Sequence, residues 1–472
     1  MKRFVLLALS GLFCLGAFRD FQSQVSAFDT GIYLQLLGNA FHHYSLASSL
    51  TGEKNFLAHH FQPLILLFSP VVALLPSAPT LFALSCIRLW ICFFTLGKKY
   101  APLGLWILIL HPSVNRCLYY SFVPEILTLA ALCYVARALV SKNVPNVFTL
   151  QVCLLVIGLS KESLWMTSSA CSLAFALTPH LKPKEKLLWL MSALIYAAVF
   201  AFLFFWWMPA NSQAPSYYGL RFFVGEKADD SMAFTHIIQV LWENFFSFRS
   251  LETFVFSMML PLMALPLLGQ PRLWLATAPT LGLILCSQSF QHHLENHYMM
   301  PVLPFFAVAA VENLTKFKSE WLHRSLATCV VAQLVWWTVF SDPGVLESLA
   351  TATRGEHLSF IARDARRISD ELKLVKDGTR FVAADSNLAL IFAKDFETID
   401  WFAFMGNPRP VSEKNIGEIS DLITRLDFSS PEICPGLARE SKEIKLLCEK
   451  IPQDPSKKTV YSDSKIFRFI LK

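Results

Sequence analysis

Charge is what this 472-residue chain has least of. Asp, Glu, Lys and Arg make up 16% of it, while 54% is apolar and 14% aromatic, at a mean hydropathy of +0.45. A soluble protein carries about a quarter charged residues, so a wholly soluble chain is excluded. The shortage is also local. Residues 342–472 hold 21 acidic and 20 basic residues, an ordinary soluble composition, which leaves 14 of the 35 acidic and 21 of the 41 basic residues for the first 341. The expected organisation is an all-α polytopic membrane domain, 1–341, followed by a small soluble α/β domain, 342–472.

Several signatures are missing as well. The chain has no GxxxxGK[ST], no GxGxxG after a strand, no HExxH and no Cys-x-x-Cys, which argues against a pump driven by nucleotide hydrolysis. There is no convincing internal repeat. The net charge of +6 does not point to nucleic acid, because the tail is near neutral and the surplus lies in the apolar part; membrane topology accounts for it better. Nine of the eleven cysteines fall in or beside apolar runs and read as small core- or lipid-facing residues. Only Cys434 and Cys448 sit in the tail, where an oxidising compartment allows a bridge.

What is present threads through a membrane with few adjustments. The start, Met1-Lys2-Arg3 and then an apolar stretch to Phe18, resembles a signal peptide without a clean small-x-small cleavage site and reads as an uncleaved first helix. Apolar runs at 4–18, 80–96, 101–115, 123–139, 147–160, 163–177, 187–208, 254–268, 273–290, 299–311 and 326–340 give about eleven transmembrane helices. They alternate so that Lys98, Lys99, Arg137, Lys142, Lys182, Lys184, Lys186, Arg272, Lys316, Lys318 and Arg324 all fall on the cytoplasmic side with the N-terminus. The run 63–75, bracketed by Pro63, Pro70, Pro76 and Pro79, would break that parity and is expected to be a re-entrant helix. Arg88 lands inside a span, and pairing within the bundle is expected over snorkelling. Eleven of the 14 acidic residues then lie outside, which marks the outer face as the place for chemistry. In the tail, Ile361, Ala365, Ile368, Leu372 and Val375 mark an amphipathic helix; 380–384 and 398–402 read as strands, and 460–461 with 466–470 as a hairpin.

The residues with chemical potential line that outer face. Asp29, in Ala27-Phe28-Asp29-Thr30-Gly31-Ile32-Tyr33, suits either a helix N-cap or a carboxylate that deprotonates an acceptor or holds a cation. His59 and His60 precede the re-entrant run, and His292, His293 and His297, with Tyr298, precede the tenth span. Histidines there bind metal or contact phosphate and sugar, and the second use is favoured. Pro124-Glu125 opens the fourth span; Lys161-Glu162 lies between two short apolar runs and is either functional or an ordinary polar turn. Arg221, with Lys227 and Arg249, sits among aromatic residues in the long loop 209–253, which suits a phosphate beside a sugar or lipid, or an interfacial aromatic belt.

The ordered set Phe28-Asp29-Thr30-Gly31-Ile32-Tyr33-x-Gln35, His59-His60-Phe61-Gln62-Pro63, Pro124-Glu125-Ile126-Leu127, Lys161-Glu162 and His297-Tyr298-x-x-Pro301-x-x-Pro304 resembles a bacterial family of predicted membrane proteins of unknown function. That family resembles in turn the GT-C superfamily, multi-spanning glycosyltransferases that use polyprenyl-phosphate-linked sugars. The likeness covers roughly residues 20 to 400. It implies a GT-C-like membrane fold in the bacterial inner membrane with the tail extracytoplasmic, and a catalytic acid in the first outer loop at Asp29. It implies a supporting carboxylate at Glu125, and donor contacts from His59, His60, Lys161, Glu162, Arg221, His292, His293, His297 and Tyr298. Members commonly show Asp-Phe-His-Pro-Glu before the fourth span, whereas this chain has Tyr120-Ser121-Phe122-Val123-Pro124-Glu125, so the Asp and His that would serve a metal there are absent. A divalent cation, magnesium or manganese, is the one cofactor to expect if any is used. The implied partners are a polyprenyl-phosphate sugar donor, membrane lipids and an extracytoplasmic glycan, lipid or protein acceptor. A flippase for a lipid-linked sugar and a non-catalytic membrane scaffold are the alternatives.

Overall fold

Helices that are apolar around most of their circumference must be covered by one another or by lipid, and the chain arranges them accordingly. The computed structural model describes residues 28–48, 55–75, 78–111, 113–114, 122–141, 145–211, 234–252, 254–255, 259–287 and 297–340, with short stretches of the tail that include five strands. The main helices are α1 (Phe28–His42), α2 (Ala78–Leu110), α3 (Leu129–Val140), α4 (Val147–Gly158), α5 (Leu164–Ala176), α6 (Pro183–Phe202), α7 (Phe234–Phe245), α8 (Pro271–Leu285), α9 (Leu303–Leu314) and α10 (Glu320–Phe340). Local chemistry sets several starts. The Asn146 side chain accepts the Phe148 N–H at 2.8 Å, and Glu185 reaches back to the Lys182 N–H at 3.0 Å behind Pro183. Helix α5 is central, packed on α4, α6 and α8, while α2 packs on α3 and α9.

Among the described residues, two helical stretches, Ala83–Leu110 and Pro183–Asn211, are long and apolar enough to cross a membrane, the first of them divided at Gly97. Helices α4, α5 and α9 are apolar but 12 or 13 residues long, about 18–20 Å at 1.5 Å per residue. Helix length among the described residues does not fix the expected count of eleven spans, and the first, 4–18, lies outside them. The run 254–268 departs furthest from expectation. It holds two 3-10 turns, Leu260–Leu262 and Leu265–Leu268, joined by Met263 and Ala264 in the left-handed region (φ 52° and 55°). Pro261 and Pro266 supply no N–H and break the helix. Side chains satisfy the freed carbonyls: Asn313 Nδ2 donates to Leu265 O at 2.8 Å and Trp274 Nε1 to Pro266 O at 3.1 Å.

The expected re-entrant run is a 3-10 turn, Pro63–Phe68, continuing into a short helix, Ser69–Leu74. The Leu64 N–H bonds Leu159 O at 3.0 Å, fixing this segment to the end of α4. Helix α6 widens at its end into a π turn, Leu203–Trp207, and Trp207 packs edge-on to Phe61 with ring centroids 5.4 Å apart.

Helix α2 is two helices in one. Gly97 has φ 72° and ψ 176°, a region only glycine occupies readily, and the chain doubles back there: a Cβ on Gly104 would sit 3.3 Å from the Leu96 side chain. The turn places Lys99 and Tyr100 on Glu312 of α9, Lys99 Nζ at 2.5 Å. It also seats the Arg137 guanidinium of α3 against Gly97, 2.7 Å from where a Cβ would stand.

In the tail the five strands β1 (Phe381–Ala384), β2 (Glu397–Asp400), β3 (Asp421–Thr424), β4 (Lys458–Tyr461) and β5 (Ile466–Ile470) form one mixed sheet in the order β2-β1-β3-β5-β4. Strands β1, β2 and β3 run parallel, and β5 is antiparallel to β3 and β4. The expected hairpin is β4–β5, while β3 was not anticipated. Arg468 of β5 holds the buried Asp421 of β3 at 3.1 Å. Cys448 is disulfide-bonded, and its expected partner, Cys434, lies outside the described residues.

Gly97→Ala should destabilise the protein by about 1–3 kcal/mol, since any side chain at that φ is strained. Thermal unfolding in detergent measures it. Gly282, a helical glycine with open space around it, serves as control, and Gly282→Ala should not lower the midpoint.

Candidate active site

The turn between α4 and α5 carries the site. Helix α4 ends at Gly158, where the Trp165 ring leaves room only for glycine: a Cβ there would meet that ring at 2.6 Å. The chain then turns through Ser160, Lys161 and Glu162, all buried, before α5 begins. Two ionisable side chains are thereby held inside the protein, and each has found a partner from a distant part of the chain.

Lys161 pairs with Glu125, whose carboxylate is 2% exposed. Glu125 belongs to the 3-10 turn Pro124–Thr128 that leads into α3 and is buried along its whole length. The Lys161 ammonium also stands 4.8 Å from the centre of the Tyr298 ring, a cation–π contact. Among the described residues Glu125 is its one hydrogen-bond acceptor, so an ammonium with three donors keeps capacity for a further anion. Burial opposes the charged form of Lys161. The carboxylates of Glu125 and Glu162, with Tyr298, more than offset that and hold its pKa above the ordinary lysine value.

Glu162 turns the other way. Its Oε2 accepts the Phe61 N–H at 3.0 Å and its Oε1 lies 3.4 Å from His60 Nδ1. Burial would raise its pKa, but the His60 contact and the Lys161 charge hold it below the usual glutamate range. Gln62, next along, accepts the Tyr33 hydroxyl at 2.9 Å. The Tyr33 ring stands edge-on to Phe56 and Phe122. One turn earlier in α1, Thr30 Oγ1 accepts the Phe122 N–H at 3.0 Å. Five stretches of chain thus meet at one end of the helices: the first turns of α1, residues 60–64, residues 122–125, residues 159–162 and Tyr298.

Of the residues singled out in the sequence, His60, Glu125, Lys161, Glu162 and Tyr298 are brought together. Asp29 lies in the first turn of α1, one residue before Thr30. That places its backbone beside the strand of chain leading to Glu125, while its side chain lies outside the described residues. So do the side chains of His59 and His297, and the whole of Arg221, His292 and His293. Thr30, Tyr33 and Gln62 were missed as site residues although each stands in a quoted motif; the signal was a polar residue repeated inside otherwise apolar, aromatic stretches. Among the described residues Arg88 does not find the partner expected of it: its guanidinium lies over the Phe68 ring, 5.6 Å from the centroid, with no carboxylate paired to it. Among the described residues no three His, Cys, Asp or Glu side chains gather as a metal site would require.

Removing one member of the buried pair leaves the other charge without compensation, which costs about 3–5 kcal/mol. Lys161→Met should lower the unfolding midpoint sharply, and Glu125→Gln added to it should restore most of the loss. A double-mutant cycle on thermal unfolding measures the coupling; additive effects would show that the two side chains do not depend on each other.

No curated protein matches the chain. The crystal structure of ArnT from Cupriavidus metallidurans bound to undecaprenyl phosphate superposes with a TM-score of 0.54 at 12% identity, over 99% of this chain and 98% of that one. The apo structure of the same protein gives 0.48 at 10%, over 100% and 99%. At such identity the likeness concerns the fold alone. A family model described as "Predicted membrane protein (DUF2079)" matches residues 20–416, and the chain belongs to that family.

Proposed function

We propose that this protein is an integral membrane glycosyltransferase of the GT-C type, moving a sugar from a polyprenyl-phosphate-linked donor to an extracytoplasmic acceptor. The observation that carries the reading is the convergence of Glu125, Lys161, Glu162, His60 and Tyr298 beside the turn that bears Asp29. Burying so much charge is costly, and a purely structural turn would not require it. The ArnT structure, which holds undecaprenyl phosphate on a related fold, supports a donor of that class. The disulfide at Cys448 fits a tail in an oxidising compartment.

In the proposed reaction the acceptor hydroxyl or amine attacks the anomeric carbon, its proton passes to Asp29, and the bond from that carbon to the donor phosphate oxygen breaks. The leaving group is a polyprenyl phosphate, whose extra charge needs donors already in place. Lys161 supplies them, with Glu125 and Tyr298 fixing where its ammonium points. Glu162 and the His60 segment hold the turn from the other side. We assign the positive charge at the phosphate to the Lys161 ammonium, which Oε1 of Glu125 already holds in place.

The full-length protein in proteoliposomes, given a polyprenyl-phosphate-linked sugar and cell-envelope extract as acceptor, should release free polyprenyl phosphate. Asp29→Asn should lower the rate by about 10²–10⁴, the usual worth of a general base, while leaving the protein folded. Wild-type protein that releases none while carrying the intact donor across the bilayer would replace this reading with transport. In the same assay EDTA should leave the rate unchanged, and loss of activity restored by magnesium or manganese would return the charge to a metal.

A further inference from the structure

The cluster of turns around Glu162 includes a hydrogen-bonding group that the proposed chemistry does not use, the amide of Gln62. The residue is 2% exposed. Its Oε1 accepts the Tyr33 hydroxyl at 2.9 Å, while the two Nε2 hydrogens find no acceptor among the described residues. Nε2 is not one of the side-chain atoms that are both sealed off and unpaired, so the little surface that Gln62 keeps includes these donors. A buried amide whose donors are unspent is costly, and a partner from outside the chain accounts for it.

The amide is held in the way a ligand-reading group has to be, with backbone and side chain both fixed. Before it, the Phe61 N–H is bound by Glu162 at 3.0 Å; the Gln62 carbonyl accepts the Ile65 N–H at 3.2 Å, and the Leu64 N–H is tied to Leu159 O at 3.0 Å. Pro63 restricts the backbone at 62 as well, which stands at φ −128° and ψ 52°. The far end of the side chain is caught by Tyr33, one turn after position 29 in α1 and edge-on to Phe122 on the chain leading into Glu125. Gln62 thus links the first turns of α1 to the segment that Glu162 holds. Two kinds of oxygen in the proposed donor accept hydrogen bonds. The phosphate is anionic and is matched by the Lys161 ammonium; the hydroxyls of the sugar are neutral and are matched by a neutral amide.

We propose that Gln62 determines sugar specificity: its Nε2 donates to a hydroxyl oxygen of the transferred sugar and selects donors that carry that hydroxyl. The inference rests on the transferase reading and names the part of the substrate that this residue reads. Its test crosses protein variants with substrate variants. Full-length protein in proteoliposomes, with cell-envelope extract as acceptor, is given undecaprenyl phosphates carrying glucose, mannose, galactose or arabinose, and then the monodeoxy forms of whichever is turned over. Release of undecaprenyl phosphate is followed. One deoxy position should lower the wild-type kcat/KM by about tenfold or more. Gln62→Met should lose a similar factor on the parent sugar and nothing further on that deoxy donor, the mark of a direct contact. Gln62→Glu keeps an acceptor for Tyr33 but, ionised, has no donor, so it should behave as Gln62→Met does; a residue that only braced Tyr33 would leave this variant at the wild-type rate. Wild type that is indifferent to every deoxy position overturns the proposal without recourse to a variant. Full activity in Gln62→Glu, or an undiminished deoxy penalty in Gln62→Met, overturns it while leaving the transferase reading in place. Wild type that releases nothing from any of the four donors removes the transferase reading, and this inference with it.

Discussion

The architecture turns on one buried ion pair. Lys161 and Glu125 are 36 residues apart in sequence and belong to turns at the ends of different helices, yet neither is tolerable in the interior without the other. Satisfying them fixes the approach of α3 to the α4–α5 turn. Once that turn is placed, Glu162 must find donors as well, and it does so in the Phe61 N–H and His60. The segment 60–64 is thereby pinned, a hold repeated by the Leu64–Leu159 backbone bond. Packing of apolar helices is permissive about register; paired buried charges are not, and here they set which turns meet.

The opposite end of the same helices is organised by a different device. Helix α3 begins beside Glu125 and ends near Arg137, and α9 begins beyond Tyr298 and reaches Glu312. At that far end Gly97 folds α2 back on itself, while Lys99 and Tyr100 close on Glu312. One end is thus tied by buried pairs and the other by partly exposed ones. The contrast suits a bundle whose chemistry is confined to a single end, with the other needing only to stay assembled.

Much of this was legible in the sequence, and what was not has identifiable causes. Lys161-Glu162 stood out because charge between apolar runs is expensive, and the run 63–75 because its prolines and the charge parity forbade a full crossing. The partners were invisible, since a buried lysine announces that it needs a carboxylate without saying which of several outer ones it takes. Arg88 shows the converse, a charge whose need is evident and whose answer is an aromatic face. The run 254–268 misled because hydropathy does not register that Pro261 and Pro266 each remove an N–H. Strand β3 was hidden for a related reason: a strand that opens on Asp421 makes sense only when Arg468 of β5 is already beside it. Asp29 is singled out by its motif alone, while its neighbour Thr30 is bound to the chain leading into Glu125.

The π turn at the end of α6 has a bearing on how the helix serves two surroundings. Upstream of it, Leu187, Leu190, Met191 and Leu194 form an exposed apolar stripe; downstream, Trp207 meets Phe61, whose own N–H donates to Glu162. An uninterrupted α-helix would lock the azimuth of both stretches together. The wider turn inserts a phase shift, so the hydrocarbon-facing stripe and the aromatic that braces the interior take azimuths that one uninterrupted α-helix would not give them together. The reverse also follows: a tilt of α6 as a rigid rod arrives at Phe61 as a sideways push on the backbone whose N–H Glu162 holds, making this helix a lever between the surrounding lipid and the buried charges.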